Sequence, residues 1–183
     1  MTKIREKYLP LFIALCLIAF GVTMRILPHP ANFAPIAAIS IFSGSVLPRR
    51  VAIWIPLAAM MFSDAIIGFY SIMPVIWACY LLIALASSRW LRPARFTRGA
   101  VLTVSSSLFF FVVTNFAVWV WGGMYAHTWH GIISCYTLAL PFFRNTFLSD
   151  VIYTSAFFGI YALATHSLKR HQTLRRPLTS IQA

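Results

Sequence analysis

Side chains able to hold a metal or move a proton are scarce in this sequence, so their positions matter. Cysteines stand at Cys16, Cys79 and Cys135, and the acids are Glu6, Asp64 and Asp150. The cysteine spacing contains no CxxC pair, so it predicts neither a disulfide framework nor a zinc site. His127 and His130, in "HTWH", have the i,i+3 spacing that sets two imidazoles on one helical face. No glutamate or third ligand supports them, and a loop pair near an interface is the plainer reading. Cys79 lies inside "MPVIWACYLLIALA", residues 73–86, with no charged residue near it. A thiol there is either a small buried hydrophobe or a soft ligand facing a pocket. No Gly-rich phosphate loop, Ser-His-Asp order or paired carboxylates occur, which leaves hydrolase and nucleotide-driven chemistry without support.

The elements that must position these groups follow from composition. The 183 residues are 60% hydrophobic and 10% charged. Soluble domains carry roughly a quarter charged residues, so the chain reads as a membrane protein. A net charge of +12 would point to nucleic acid in a soluble protein. Here the charges fall between apolar runs and have a topological role instead. The N-terminal "MTKIREK" followed by "YLPLFIALCLIAFGVTM" imitates a signal peptide, but no small-x-small cleavage site follows, and it reads as a retained first helix. "IALC", with Leu15 before the cysteine, makes a poor lipobox.

A helix crosses a hydrocarbon layer of roughly 30 Å in about 20 residues. That length predicts an all-α membrane protein with six transmembrane helices, at about 8–24, 33–47, 51–70, 72–88, 100–121 and 147–168. The second is short enough to be tilted or partly spanning. "GIISCYTLALPFF", 131–143, is too short to cross and reads as a re-entrant or interfacial piece. It sits in a long structured outer loop between the fifth and sixth helices. Of fifteen Lys and Arg, all but Arg25 and Arg144 fall on one side of this parse, which predicts both termini in the cytoplasm. Residues 1–170 are expected to form a single six-helix domain and 171–183 a basic cytoplasmic tail.

Orientation gathers the polar residues. Arg25, His29, Asn32, Asp64, Asn115, Tyr125, His127, His130, Tyr136, Arg144, Asn145 and Asp150 all fall in the outer half, with Cys79 about 10 Å below the outer start of its helix. Intramembrane ionisable groups are costly and usually face an interior or wet cavity, so Asp64 is a functional candidate. Two outer cations balance two outer acids, and structural ion pairs account for them equally well. Trp119, Trp121, Tyr125 and Trp129 match an interfacial aromatic belt, and "GG" at 122–123 marks a helix end. Ala34 with Ala38, and Ser40 with Gly44, are small residues at four-residue spacing that favour close packing of the second helix.

"LPHPANFAPIAAISIFSG", "MMFSDAIIGFY", "FFVVTNFAVWVWG" and "PFFRNTFLSDVIY" resemble the substrate-binding S-components of energy-coupling-factor (ECF) vitamin transporters. The likeness is greatest to the solitary vitamin B12 S-components, the BtuM-like proteins, and runs over roughly 25–165. It implies a six-helix bundle in the bacterial cytoplasmic (inner) membrane whose outer loops close over a vitamin. Cobalamin is then the bound substrate, with uptake into the cytoplasm. Cys79 occupies the place of a fourth-helix cysteine that faces cobalt in cobalamin-binding members. His29, Asp64, Tyr80 and Arg144 carry over as pocket residues, joined by Asn32, Asn115 and Tyr136 from the outer cluster. S-components that dock on a shared energising ECF module carry Ala-x-x-x-Ala in the first helix. Here Ala14 and Ala19 are five apart, which fits a solitary protein.

A thiolate is a soft donor, and metal binding lets a thiol bind deprotonated. Cobalt ligation by Cys79 from the lower corrin face would displace the nucleotide-loop base and labilise an upper cyanide, giving slow reductive removal of that group. The competing readings are the same fold serving another vitamin or modified base with Cys79 only packing, and a membrane enzyme or metal site built on His127, His130 and Cys135. A third is an assembly protein whose outer cluster is ion pairs. The expected partners are a small-molecule vitamin and the lipid bilayer, with an ECF module as an optional energiser and no nucleic acid. The sequence carries no nucleotide-binding motif.

Overall fold

Leu47, Pro48 and Arg49 turn the chain sharply behind a short helix that the rest of the molecule encloses. The structure, a computed structural model, describes residues 2–92 and 96–174. Its elements are α1 (Thr2–Ile26), α2 (Ile36–Val46), α3 (Arg49–Ala52, a single turn), α4 (Trp54–Ile67), α5 (Met73–Trp90), α6 (Phe96–Trp121) and α7 (Trp129–Leu174). All described secondary structure is helical. Five segments are long and apolar enough to cross a membrane: Tyr8–Ile26, Arg49–Ile67, Met73–Trp90, Thr97–Trp121 and Trp129–Ser167. Large apolar side chains point outward from them, including Phe12, Trp54, Ile66, Val101 and Leu163. Such a surface suits lipid rather than water.

The remaining helix, α2, has 11 residues and spans only about 16 Å. It sits at the centre, packed on α5, α7, α4 and α6, and Ile36 through Ser45 are all buried. A helix that is apolar or small on every face has nowhere to go but the interior. Its serines close their own accounts: Ser40 Oγ donates to the Ile36 carbonyl at 2.8 Å and Ser45 Oγ to Phe42 O at 2.9 Å. Gly44 is where α5 comes closest. A Cβ there would stand 2.5 Å from the Ala84 carbonyl oxygen and 2.8 Å from Ser87 Cβ. Ser87 Oγ donates across this seam to Ile41 O at 2.5 Å. Arg92 then caps α2, its guanidinium donating to Gly44 O at 3.1 and 2.9 Å and also to Leu47 O. A cation among the last carbonyls satisfies orphan acceptors and complements the helix dipole. The small residues of the second helix thus serve internal packing.

At one end of the bundle lie the connections 27–35, 68–72 and 122–128, called here the His29 end. At the other, the Arg92 end, lie the turn at 47–48 and, after α5, Leu91 and Arg92. Gly68, with φ 114°, ends α4, and its N–H reaches Asp64 O at 2.8 Å. Gly123, with φ 68°, ends the turn after α6, so the glycine pair does mark that helix end.

One expectation is corrected. No long structured loop separates the last two helices: the connection is 122–128, and "GIISCYTLALPFF" is helical and continuous with the segment after it, inside a 46-residue α7. The segment is set apart because it is too short to cross, and it contains Pro141. A proline removes one backbone bond and crowds the preceding turn, but neighbouring helices tolerate that in an apolar bundle. α6 packs along this stretch: Tyr136 Oη donates to Val112 O at 2.7 Å, and Phe143 packs on Phe111 at 4.8 Å. At 1.5 Å per residue α7 is about 69 Å long, more than twice a hydrocarbon layer. Residues 175–183 of the expected tail, and Arg95 among the basic residues counted on the cytoplasmic side, lie outside the described residues.

Candidate functional site: a polar cavity at the His29 end

Asp64 is a buried acid with partners from two other helices. It is fully buried on the last turns of α4. Arg25 Nη2, from the end of α1, lies 2.7 Å from its Oδ1 as an ionic contact without hydrogen-bond alignment. Trp77 Nε1, from α5, donates to Oδ2 at 2.7 Å. Arg25 also donates through Nη1 to Ser63 Oγ at 2.6 Å and to Met60 Sδ at 3.0 Å. The acid therefore orders three helices around one cation.

Arg25 presents its other face to a cavity of about 280 Å³. His29, Asn32, Tyr70, Tyr80, Thr146 and Asp150 supply the remaining polar wall, and Ile36, Met60, Ile76 and Phe110 are among the apolar lining. Asn32 reaches its place through a left-handed backbone, φ 62°, in the turn closed by Phe33 N–H on Pro30 O at 3.0 Å. Asparagine tolerates that conformation better than most residues. Two bonds from α7 hold the segment: Asn145 Nδ2 donates to Ala31 O and Ser149 Oγ to Ala34 O, both at 3.0 Å. His29 Nδ1 donates to Leu27 O at 2.6 Å, which leaves Nε2 as an acceptor. Tyr80 stacks on Phe110, centroids 5.0 Å apart and planes 25° from parallel. Tyr70 lies in the 68–72 connection; burial first, then the charge of Asp64, pushes its phenol above the ordinary tyrosine value. It therefore stays a neutral donor through the physiological range.

A second cavity, about 350 Å³, lies alongside. Asn32, Ile76, Phe110 and Thr146 line both. Asn115, Tyr125 and Cys135 belong to the second, with Asn115 Nδ2 donating to Phe111 O at 2.8 Å.

The expected residues thus divide. His29, Asn32, Tyr80 and Asn115 line the two cavities. Asp64 stands behind Arg25, off the wall. Tyr136 bonds to α6 and Arg144 is exposed; neither lines a cavity, and Arg144 forms no ion pair with Asp150. Cys79 is 1% exposed and absent from both walls. Ile76 and Tyr80 mark the wall-facing line of α5, and at 100° per residue Cys79 lies about 80° round the helix from it. His127 Nε2 donates to Trp119 O at 3.0 Å, its ring edge-on to the indole. Among the described residues no three His, Cys, Asp or Glu side chains come together to hold a metal.

Sequence reasoning set Asp150 and Arg25 in the outer polar cluster, with ion pairs as an equal reading, and passed over Tyr70. Asp150 is 1% exposed, lines the first cavity, and shares a 2.6 Å hydrogen bond with Ser107 Oγ. The available signal was an acid in an apolar run with no basic residue within one turn; the nearest, Arg144, is six positions away on another face.

One family model matches, over residues 6–174: DUF6580, described as a family of unknown function. No curated protein and no solved structure matches the chain.

Proposed function

The chain belongs to the DUF6580 family, and we propose that it is a membrane uptake protein that binds a vitamin-class solute, cobalamin in the first instance, in the cavity at the His29 end. The observation that carries this reading is the cavity itself. Fixed donors and acceptors on three helices and two connections converge there beside a stacked Tyr80–Phe110 pair. A few placed polar groups in an apolar, aromatic wall are what a small-molecule site requires. In this reading the His29 end faces outward and both termini lie in the cytoplasm of a bacterium's inner membrane, as the distribution of Lys and Arg supports. The resemblance to solitary S-components supplies the substrate class and an uptake that proceeds without an ECF module.

The residues divide the work. Arg25, neutralised by Asp64, offers fixed N–H donors at no net charge. His29 Nε2, Asn32 and Tyr70 read the polar rim of the solute, and Tyr80 with Phe110 covers a planar face. A corrinoid is larger than either cavity, so loading it requires the 27–35 segment to swing from α7, parting the Asn145 and Ser149 bonds and merging the cavities. Cobalt ligation by Cys79, and any removal of an upper cyanide through it, further requires α5 to turn toward the wall. A second reading follows from the position of Cys79: a smaller vitamin fills the existing cavities and the thiol only packs.

Purification from cells fed cobalamin tests the choice. A red protein with one corrinoid per chain, whose visible spectrum changes in Cys79→Ala, is the expected result. A red protein with an unchanged spectrum removes Cys79 from the cobalt. A colourless protein that binds no corrinoid rejects cobalamin and leaves the smaller-vitamin reading.

A further inference from the structure

Asp150 and Ser107 form a chain of contacts that a protonated carboxyl fills completely. Ser107 Oγ lies 2.6 Å from Asp150 Oδ2 and 3.1 Å from the Thr103 carbonyl oxygen. A serine hydroxyl has one proton to give. With an ionised Asp150 both neighbours are acceptors, and one contact holds no proton. With a protonated Asp150 the carboxyl donates to Ser107 Oγ and Ser107 donates to Thr103 O, so both contacts are filled.

The surroundings agree. Among the described residues the one ion pair is Arg25 with Asp64, so no cation is bound to Asp150. The charged and titratable groups sharing its cavity are Arg25 from α1, His29 and Tyr70 from the two connections, and Tyr80 from α5. Of the helices packed on α7, α6 brings Ser107 to the carboxyl and α2 has no titratable residue. One turn further along α7, Thr154 is buried with its Oγ1 unpartnered, which adds polarity but no charge.

We propose that Asp150 is a proton-binding site in the cavity wall, occupied while the cavity is closed and empty, so that solute and proton are held together. Its proton is engaged by Ser107, which leaves Oδ1 as an acceptor for an uncharged N–H group such as a primary amide. When the pH rises, the O–H bond breaks, the electron pair stays on Oδ2 and the proton passes to cavity water. A solute that excludes that water disfavours the ionised form, since a buried charge without a partner is costly. Solute affinity therefore falls as Asp150 ionises, and an inward proton gradient assists uptake. The proton site stands on the α6–α7 contact alone, whereas its link to transport rests on the uptake reading.

The chain contains only two aspartates, so infrared spectroscopy of protein carrying ¹³C-labelled aspartate carboxyls in lipid nanodiscs resolves them without any solute. The expected result is a protonated-carboxyl band near neutral pH that vanishes reversibly at alkaline pH. It is absent in Asp150→Asn and moves to higher frequency in Ser107→Ala, where the O–H loses its acceptor. Absence of the band from the wild-type protein, or a band that Ser107→Ala leaves unmoved, overturns the proposal; the second variant decides the matter even where Asp150→Asn does not fold. A band that behaves as expected in a protein that binds no corrinoid upholds the proton site and counts only against the cobalamin reading.

Discussion

Asp64 and Asp150 are both buried carboxylates on membrane-type helices, yet the bundle treats them in opposite ways. Asp64 is given a guanidinium at 2.7 Å and an indole N–H at 2.7 Å, and it sits behind the cavity wall. Asp150 is given one hydroxyl and sits on the wall. Full partnering makes the first acid part of the frame, and sparse partnering leaves the second free to respond to what enters. Burial alone does not mark a functional acid; burial with an incomplete set of partners facing a void does.

The sharpest way to break this comparison is to neutralise each acid in turn. Asp64→Asn leaves Arg25 buried without its counter-charge, and breaking a buried pair costs about 3–5 kcal/mol. Thermal unfolding of the purified protein should show a large loss. Asp150→Asn keeps a hydrogen-bonding group at Ser107, so its cost should stay near 1 kcal/mol. Equal losses at the two positions would erase the distinction.

A smaller effect is expected where the frame is tightest, away from either acid. Gly44→Ala drives a Cβ toward the Ala84 carbonyl, and overpacking of this kind costs about 1–3 kcal/mol. Unfolding should register it while solute binding at the distant cavity is retained in the folded fraction. Asn145→Ala should cost less, about 1 kcal/mol for one neutral hydrogen bond. Its interest lies in kinetics: with one of two ties to α7 gone, the 27–35 segment opens more readily and stopped-flow association should quicken. An unchanged rate would mean that entry runs elsewhere. Cys79→Ala should change stability least, because the thiol is small and makes no bond across the bundle.

These positions also show what was legible beforehand. Apolar run length gave the helices, because a membrane-type segment must satisfy its backbone internally. Gly122 and Gly123 ended one as their conformational freedom allows. Run length could not tell that 131–143 joins the next segment, since that stretch taken alone is too short to cross. His29, Asn32 and Asn115 cluster at one end of the parse, whereas Tyr80 came from the resemblance alone; all four line the cavities. Which way each side chain points was not found: Arg144 and Tyr136 share that end but turn away from the cavities. Cys79 differs from the wall by a rotation of its helix, a quantity set by packing on α2, α4 and α6 rather than by local sequence. Asp64 and Asp150 looked alike for the same reason, as their partners Trp77 and Ser107 come from distant elements.

The account turns on whether the solute occupies the shared region between the two cavities. Ile76 lines both, so Ile76→Trp should fill that region while leaving the Arg25–Asp64 frame in place. Equilibrium binding of cobalamin to the purified wild-type and Ile76→Trp proteins, followed by the corrinoid's visible spectrum, measures this directly. The account predicts one cobalamin per wild-type chain and at least a tenfold weaker affinity in Ile76→Trp, about 1.4 kcal/mol, with the melting temperature showing that the variant is folded. Equal affinity in the two proteins would contradict it, because a solute bound there could not ignore an indole in its place.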